Sequence, residues 1–151
     1  MDSNSSGIAS NSSRSRAAVW AAAGTLGAGL LAYSQTAALE NDEGFHLLAA
    51  FLIHQGKRPY VDFFYQHPPL YALLNAAWMG LVGINWRSAH LFSVLCTTGC
   101  AVLVGRYVLA RFWLIRWAPA AGATAVALFF LHAQIIRMGA IGQPYALCLL
   151  L

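Results

Sequence analysis

Charge is what this sequence has least of. Only 9% of its 151 residues are Asp, Glu, Lys or Arg, against about 25% in a soluble domain. With 59% of the residues apolar, water cannot solvate the whole exterior, and an ordinary soluble domain is excluded. Nine basic residues against five acidic ones leave a net charge of +4. The basic residues stand in ones and twos between apolar runs, so no continuous basic patch exists and a nucleic-acid partner is excluded. Cysteine is equally uninformative as chemistry: no C-x-x-C occurs, Cys96 and Cys100 lie within one apolar run and Cys148 within another. They read as small packing residues. No internal repeat is present.

What the sequence has is length of apolar run. About 20 apolar residues at a rise of roughly 1.5 Å cross about 30 Å of hydrocarbon, and segments 17–39, 88–110 and 117–136 meet that requirement. The Ser- and Asn-rich leader 1–16 cannot support a core and is expected to be disordered and cytoplasmic. Arg14 and Arg16 precede the first run as in a signal peptide, yet the run is too long for an h-region and no A-x-A site follows. An uncleaved anchor is expected. Gly24, Gly27 and Gly29 are spaced G-x-x-G-x-G, with no strand before them, so a phosphate loop is set aside. Ala23 and Gly27 instead fit a small-xxx-small helix contact. Pro144 suits the opening of a further span, whose apolar run 146–151 has no cap or charge to stop it. The expectation is an all-α, polytopic transmembrane helical bundle over 17–151, read as the N-terminal part of a longer membrane domain.

Four of the five acids fall between the first and second long runs: Glu40, Asp42, Glu43 and Asp62. From Glu43 to His54 the polar residues Glu43, His46 and His54 sit among Phe45, Leu47, Leu48, Phe51, Leu52 and Ile53, a pattern for a helix lying in the interface over 43–56. Gly56 ends it and Lys57-Arg58-Pro59 turns the chain. Asp42 then stands at the helix's N-terminal end, where an N-cap role and a chemical role are both open. Glu43-x-x-His46, with His54 and His67, offers possible metal ligands. No second His lies at i+4, and hydrogen-bonded surface histidines are the plainer reading.

Asp42-Glu43 with His46, then Tyr60-Val61-Asp62-Phe63-Phe64-Tyr65, then His67-Pro68-Pro69-Leu70 resembles the GT-C membrane glycosyltransferases, the protein O-mannosyltransferases most of all. In that family the first non-cytoplasmic loop carries an Asp-Glu pair, and His-Pro-Pro-Leu precedes the next apolar helix. The lipid A aminoarabinose transferases share the pair and the layout, though not the second motif. The resemblance implies a multi-pass protein of a bacterial plasma membrane. Its partners would be a polyprenyl-phosphate sugar donor and a lipid, glycan or protein acceptor. Asp42 matches the family's catalytic acid and would act as general base, with Glu43 in support. Lys57, Arg58, His67 and Arg137 are candidates to hold the departing phosphate, or are interfacial snorkelling residues. No cofactor is required by this chemistry. Where several relatives carry a second acid before a proline, this chain has Gln143-Pro144, which cannot supply an anionic metal ligand.

Segment 69–84 has sixteen residues, short for a span. If it does not cross, Arg14, Arg16, Arg106, Arg111 and Arg116 all share the cytoplasmic side, as the positive-inside tendency favours, and Gln143 shares the side of Asp42. A juxtamembrane or re-entrant helix is expected there. Two other classes stay open: a non-catalytic transporter or complex subunit whose loop acids bind an ion or partner, and an inactive fragment of the glycosyltransferase. No acid lies within the three long runs, which disfavours the transporter.

Overall fold

A computed structural model describes residues 3–151, with side-chain environments from Arg16 onward except Asn41. The described residues form helices α1 (Ser3–Ser34), α2 (Asn41–His54), α3 (Leu70–Val82), α4 (Trp86–Arg111), α5 (Ala118–Leu131), α6 (Ala133–Ala140) and α7 (Tyr145–Leu150). Among them no strand occurs beyond one isolated bridge between Pro59 and Phe63. The regular structure of the described residues is therefore all-helical. Arg16–Ser34 and Trp86–Arg111 are long and apolar enough to cross a membrane. The pair Ala118–Leu131 and Ala133–Ala140, bent by 69°, is a third if it forms one broken span.

α1 and α4 run antiparallel, with Val19 beside Gly105, Gly27 beside Thr98 and Ser34 beside His90. Lipid gives apolar helices no hydrophobic reason to associate, so small residues that allow close approach carry the contact. Ala23 and Gly27 lie on the buried face of α1 together with Val19 and Leu30, whereas Gly24 and Gly29 face open space. α5 closes a three-helix core in which Val19, Ala23, Val94, Ala101, Val126 and Phe130 pack together. α2 and α3 form a second, smaller layer, joined through Ala49 with Ala72 and through Ala50 with Ala76 and Met79.

Several boundaries differ from the expected ones. Helical backbone extends to Ser3, inside the leader for which composition predicts disorder; the Ala-rich start of the span continues a helix already nucleated, which costs less than starting one. α1 ends at Ser34, and residues 35–39 form a turn and an extended link rather than more helix. The run 117–136 is interrupted at His132, whose extended backbone (ψ 120°) breaks the ladder between α5 and α6. α6 then buries Gly139 and Ala140 and exposes Gln134 and Arg137, as a helix lying along a boundary does. α2 begins at Asn41, two residues earlier than expected, so Asp42 and Glu43 lie inside its first turn. Its other end is a Schellman turn, in which Gly56 (φ +80°) donates to Ile53 at 2.9 Å and Lys57 to Leu52 at 3.0 Å. α3 has 13 residues, about 20 Å of helix, too short to cross a bilayer unaided.

Gly105 tests the packing directly. A Cβ there would lie 2.7 Å from Val19 Cγ1 and 2.8 Å from Val126 Cγ2, and β-branched side chains cannot swing aside. We expect Gly105→Ala to destabilise the chain by about 1–3 kcal/mol through overpacking. Gly29→Ala, with nothing within 4 Å, should be neutral or mildly stabilising. Thermal unfolding in detergent compares the two; equal midpoints would show that α1, α4 and α5 do not meet at Gly105.

Candidate functional site

Where the link after α1 enters α2, three acids stand within four residues, and the fold gives each a different environment. Glu40 precedes the first turn of α2, and its Oε1 accepts from Arg137 Nε at 3.2 Å and Nη2 at 3.0 Å. The pair is largely exposed, so it contributes at most about 1 kcal/mol, but it ties α6 to the start of α2. Glu43 is fully buried. Its Oε1 accepts the Gly142 N–H at 2.6 Å and is paired with His90 Nε2, while its Oε2 accepts the Glu40 N–H at 3.3 Å. Asp42 is exposed, and among the described residues its carboxylate has no hydrogen bond or ion pair.

The proton positions around Glu43 follow from donor inventory. His90 Nδ1 lies 2.6 Å from the Ser34 carbonyl, which can only accept, so Nδ1 carries a proton. Burial by itself would raise the Glu43 pKa, yet the hydrogen bonds from His90 and Gly142 outweigh it and hold the carboxyl below its ordinary range. Glu43 is thus held as a carboxylate against His90 Nε2. One buried ion pair thereby links the end of α1, the first turn of α2, the start of α4 and the loop before α7. Gly142 is required at close quarters, since a Cβ there would stand 2.7 Å from Glu43 Oε1.

The second sequence motif is brought back onto α2. His46, 3% exposed, hydrogen-bonds through Nδ1 with Tyr65 Oη at 3.0 Å, and its ring centroid lies 4.9 Å from that of His67. Phe45 stacks on Tyr65 at 5.4 Å and 12°. Burial, and then the neighbouring His67, lower the His46 pKa; burial, and then Tyr60, push Tyr65 up to about 12. Tyr60 itself takes φ +66°, a left-handed conformation uncommon for a side chain of this size. Its N–H bonds Phe63 O at 2.9 Å and its hydroxyl donates to the His67 carbonyl, which hold that turn closed.

The remaining expected site residues separate into near and far. Arg137 meets the acid cluster through Glu40, and His67 meets α2 through His46. Lys57 and Arg58 follow the other end of α2, roughly 18 Å along the helix from Asp42 at 1.5 Å per residue. Arg58 pairs with Asp62 at 3.5 Å, and the Arg58 N–H, at 2.7 Å, is the main cause of a lowered Asp62 pKa. Asp42 is not the N-cap, because it occupies the first turn behind Glu40. Among the described residues no three His, Cys, Asp or Glu side chains converge as a metal site; Glu43 is committed to His90 rather than to His46. The residues that sequence reasoning missed are His90 and Gly142. A histidine four residues into an apolar span was the available signal for the first, and the Gly before Gln143-Pro144 for the second. Gln143 is buried beside them.

A groove of ≈ 500 Å³ opens at the same end, lined by Tyr33, Leu39, Glu40, Ile136, Arg137 and Ile141 among others. Its walls are apolar apart from the Glu40–Arg137 pair. No family model, curated protein or solved structure matches this chain.

The buried pair sets the response to acid. Glu43's folded pKa lies below its ordinary 4.5 and His46's below 6.5, so the unfolded chain binds protons first at both and stability falls as pH falls. We expect thermal midpoints in detergent to decline below pH 6.5 from His46 and more steeply below 4.5 from Glu43. His46→Asn should remove the upper phase. His90→Leu leaves the Glu43 charge buried alone and should cost about 3–5 kcal/mol at neutral pH. A midpoint that does not fall below pH 4.5, a His46→Asn profile identical to that of the wild-type chain, or an unaffected His90→Leu would contradict the assignment.

Proposed function

We propose that this chain is a membrane glycosyltransferase of the GT-C type, transferring a sugar from a polyprenyl-phosphate donor to a hydroxyl acceptor on the extracytoplasmic side. The observation that carries the proposal is the contrast among the three acids. Asp42 is exposed and unpartnered among the described residues, at the mouth of a helix long enough to span, while its neighbour Glu43 is locked into the fold. A general base must be reachable by the acceptor and free to take a proton. Asp42 meets both conditions and Glu43 meets neither.

In this mechanism the acceptor O–H gives its proton to the Asp42 carboxylate as its oxygen bonds to the anomeric carbon. The bond from that carbon to the donor phosphate breaks, and the lipid phosphate leaves with the electron pair and one more negative charge, inverting the anomeric centre. Arg137, beside Glu40 on the groove, and His67 supply cationic or hydrogen-bonding stabilisation to that charge. Glu43 fixes the first turn of α2 and so aims Asp42. Lys57 and Arg58, at the far end of α2, serve as interfacial anchors. The acceptor is a lipid, glycan or protein hydroxyl, and the membrane is a bacterial plasma membrane crossed several times.

A second reading draws support from the Glu43–His90 pair. Though no acid lies in the sequence of the spans, α2 delivers one onto a histidine of α4, and buried pairs of this kind also occur along proton pathways of transporters. In a transporter Asp42 is dispensable and Glu43 essential.

Two measurements separate these readings. A reporter fused after Arg58 should be extracytoplasmic and one after Trp113 cytoplasmic; a cytoplasmic Arg58 fusion would place the acids in the wrong compartment. Asp42→Asn should lower sugar transfer from a polyprenyl-phosphate donor by roughly 10²- to 10⁴-fold. Its thermal midpoint should barely move, because only a first-turn charge of about 0.3–1 kcal/mol is lost. Normal transfer by Asp42→Asn at equal protein would remove the catalytic assignment.

A further inference from the structure

The antiparallel register of α1 and α4 carries Arg16, where the apolar span within α1 begins, onto Arg106 near the end of α4. With Val19, Trp20 and Leu109 they line a pocket of ≈ 190 Å³, room for about six waters at 30 Å³ each. We propose that this pocket binds the phosphate headgroup of an anionic phospholipid.

Three observations point to that ligand. Two arginines that line one small concavity bring like charges together, a repulsion an anion between them relieves, and planar guanidinium forks match phosphate oxygens in pairs. Among the described residues neither arginine has a carboxylate partner. The described acids Glu40, Asp42, Glu43 and Asp62 all follow the far end of the 19-residue span Arg16–Ser34, about 28 Å away along the helix. The source of the phosphate follows from the setting. Trp20, Tyr107, Trp113 and Trp117 are all exposed at this end, as aromatic residues are at the headgroup boundary, and Arg111 and Arg116 extend the same positive end. A phosphate held at Arg16 and Arg106 would lead its acyl chains along the exposed face of Trp20. Basic pockets between membrane helices hold lipid headgroups in this way. The site is at the opposite end of the bundle from Asp42 and does not depend on the proposed transfer reaction.

The test uses the full chain in lipid nanodiscs containing equal phosphatidylglycerol and phosphatidylcholine of identical acyl chains. Lipids retained on the protein are counted by native mass spectrometry. The wild-type chain should retain phosphatidylglycerol over phosphatidylcholine by roughly 30-fold, as two arginines at a membrane surface supply. Arg16→Gln with Arg106→Gln should abolish the preference, while Arg111→Gln with Arg116→Gln, outside the pocket, should keep most of it. Equal loss in the two double variants would replace the pocket by a diffuse positive belt, and an absent preference in the wild-type chain would overturn the proposal without any variant. Displacement of phosphatidylglycerol by millimolar inorganic phosphate would assign the pocket to a soluble anion instead.

Discussion

A carboxylate removed from water must be given a cation and hydrogen bonds, and the arrangement around Glu43 is organised by that demand. A buried ion of this kind costs several kcal/mol in desolvation. Here the cost is offset by His90, by the Gly142 N–H and by the Glu40 N–H. Because these groups come from α4, from the loop before α7 and from the link after α1, the pair imposes a relative placement on segments that apolar packing alone would leave free to slide. His90 in turn is oriented by the Ser34 carbonyl, an otherwise unsatisfied group of the last turn of α1.

That placement divides the labour among adjacent acids. Glu40 is held at the surface by Arg137, Glu43 is held inside by His90, and Asp42 between them points to solvent on a helix that cannot rotate without breaking the buried pair. The aromatic and imidazole contacts of Phe45, His46, Tyr65 and His67 clamp the following loop onto the same helix. The first turn of α2 is thus fixed from below by an ion pair and along its length by ring packing. A reactive group on such a turn is pre-oriented at little further entropic cost.

Much of this was legible in the sequence wherever one residue's environment follows from its neighbours. The apolar lengths announced α1 and α4, Gly56 announced the end of α2, and Ala23 with Gly27 announced the face that meets α4. The break at His132 was not read from the sequence, because no Pro or Gly marks it and the polar His132 and Gln134 were absorbed into an otherwise apolar run. Nor was the N-cap: Asp42 and Glu40 are both acids able to precede a helix, and which one does so depends on where Glu43 must point. The partner of Glu43 was hidden for a different reason. A lone histidine in an apolar run has no local signature of the carboxylate it meets, and composition reports only that no acid lies in the same segment.

Order of synthesis gives the long-range link from α1 another meaning. Ser34 and His90 are 56 residues apart, and Glu43 and Gly142 are 99 apart. While the chain is being made, Glu43 reaches the membrane surface before either of its main partners exists, and it must wait there hydrated. Only insertion of α4 brings the histidine that allows the carboxylate to leave water, and only the loop after α6 delivers the last donor. The acid cluster is therefore completed late in assembly, and a chain whose α4 has inserted in the wrong orientation would leave a charge stranded in the interface. Burial of Glu43 thus requires that contacts made 47 and 99 residues later in the chain, with His90 and Gly142, already be in place.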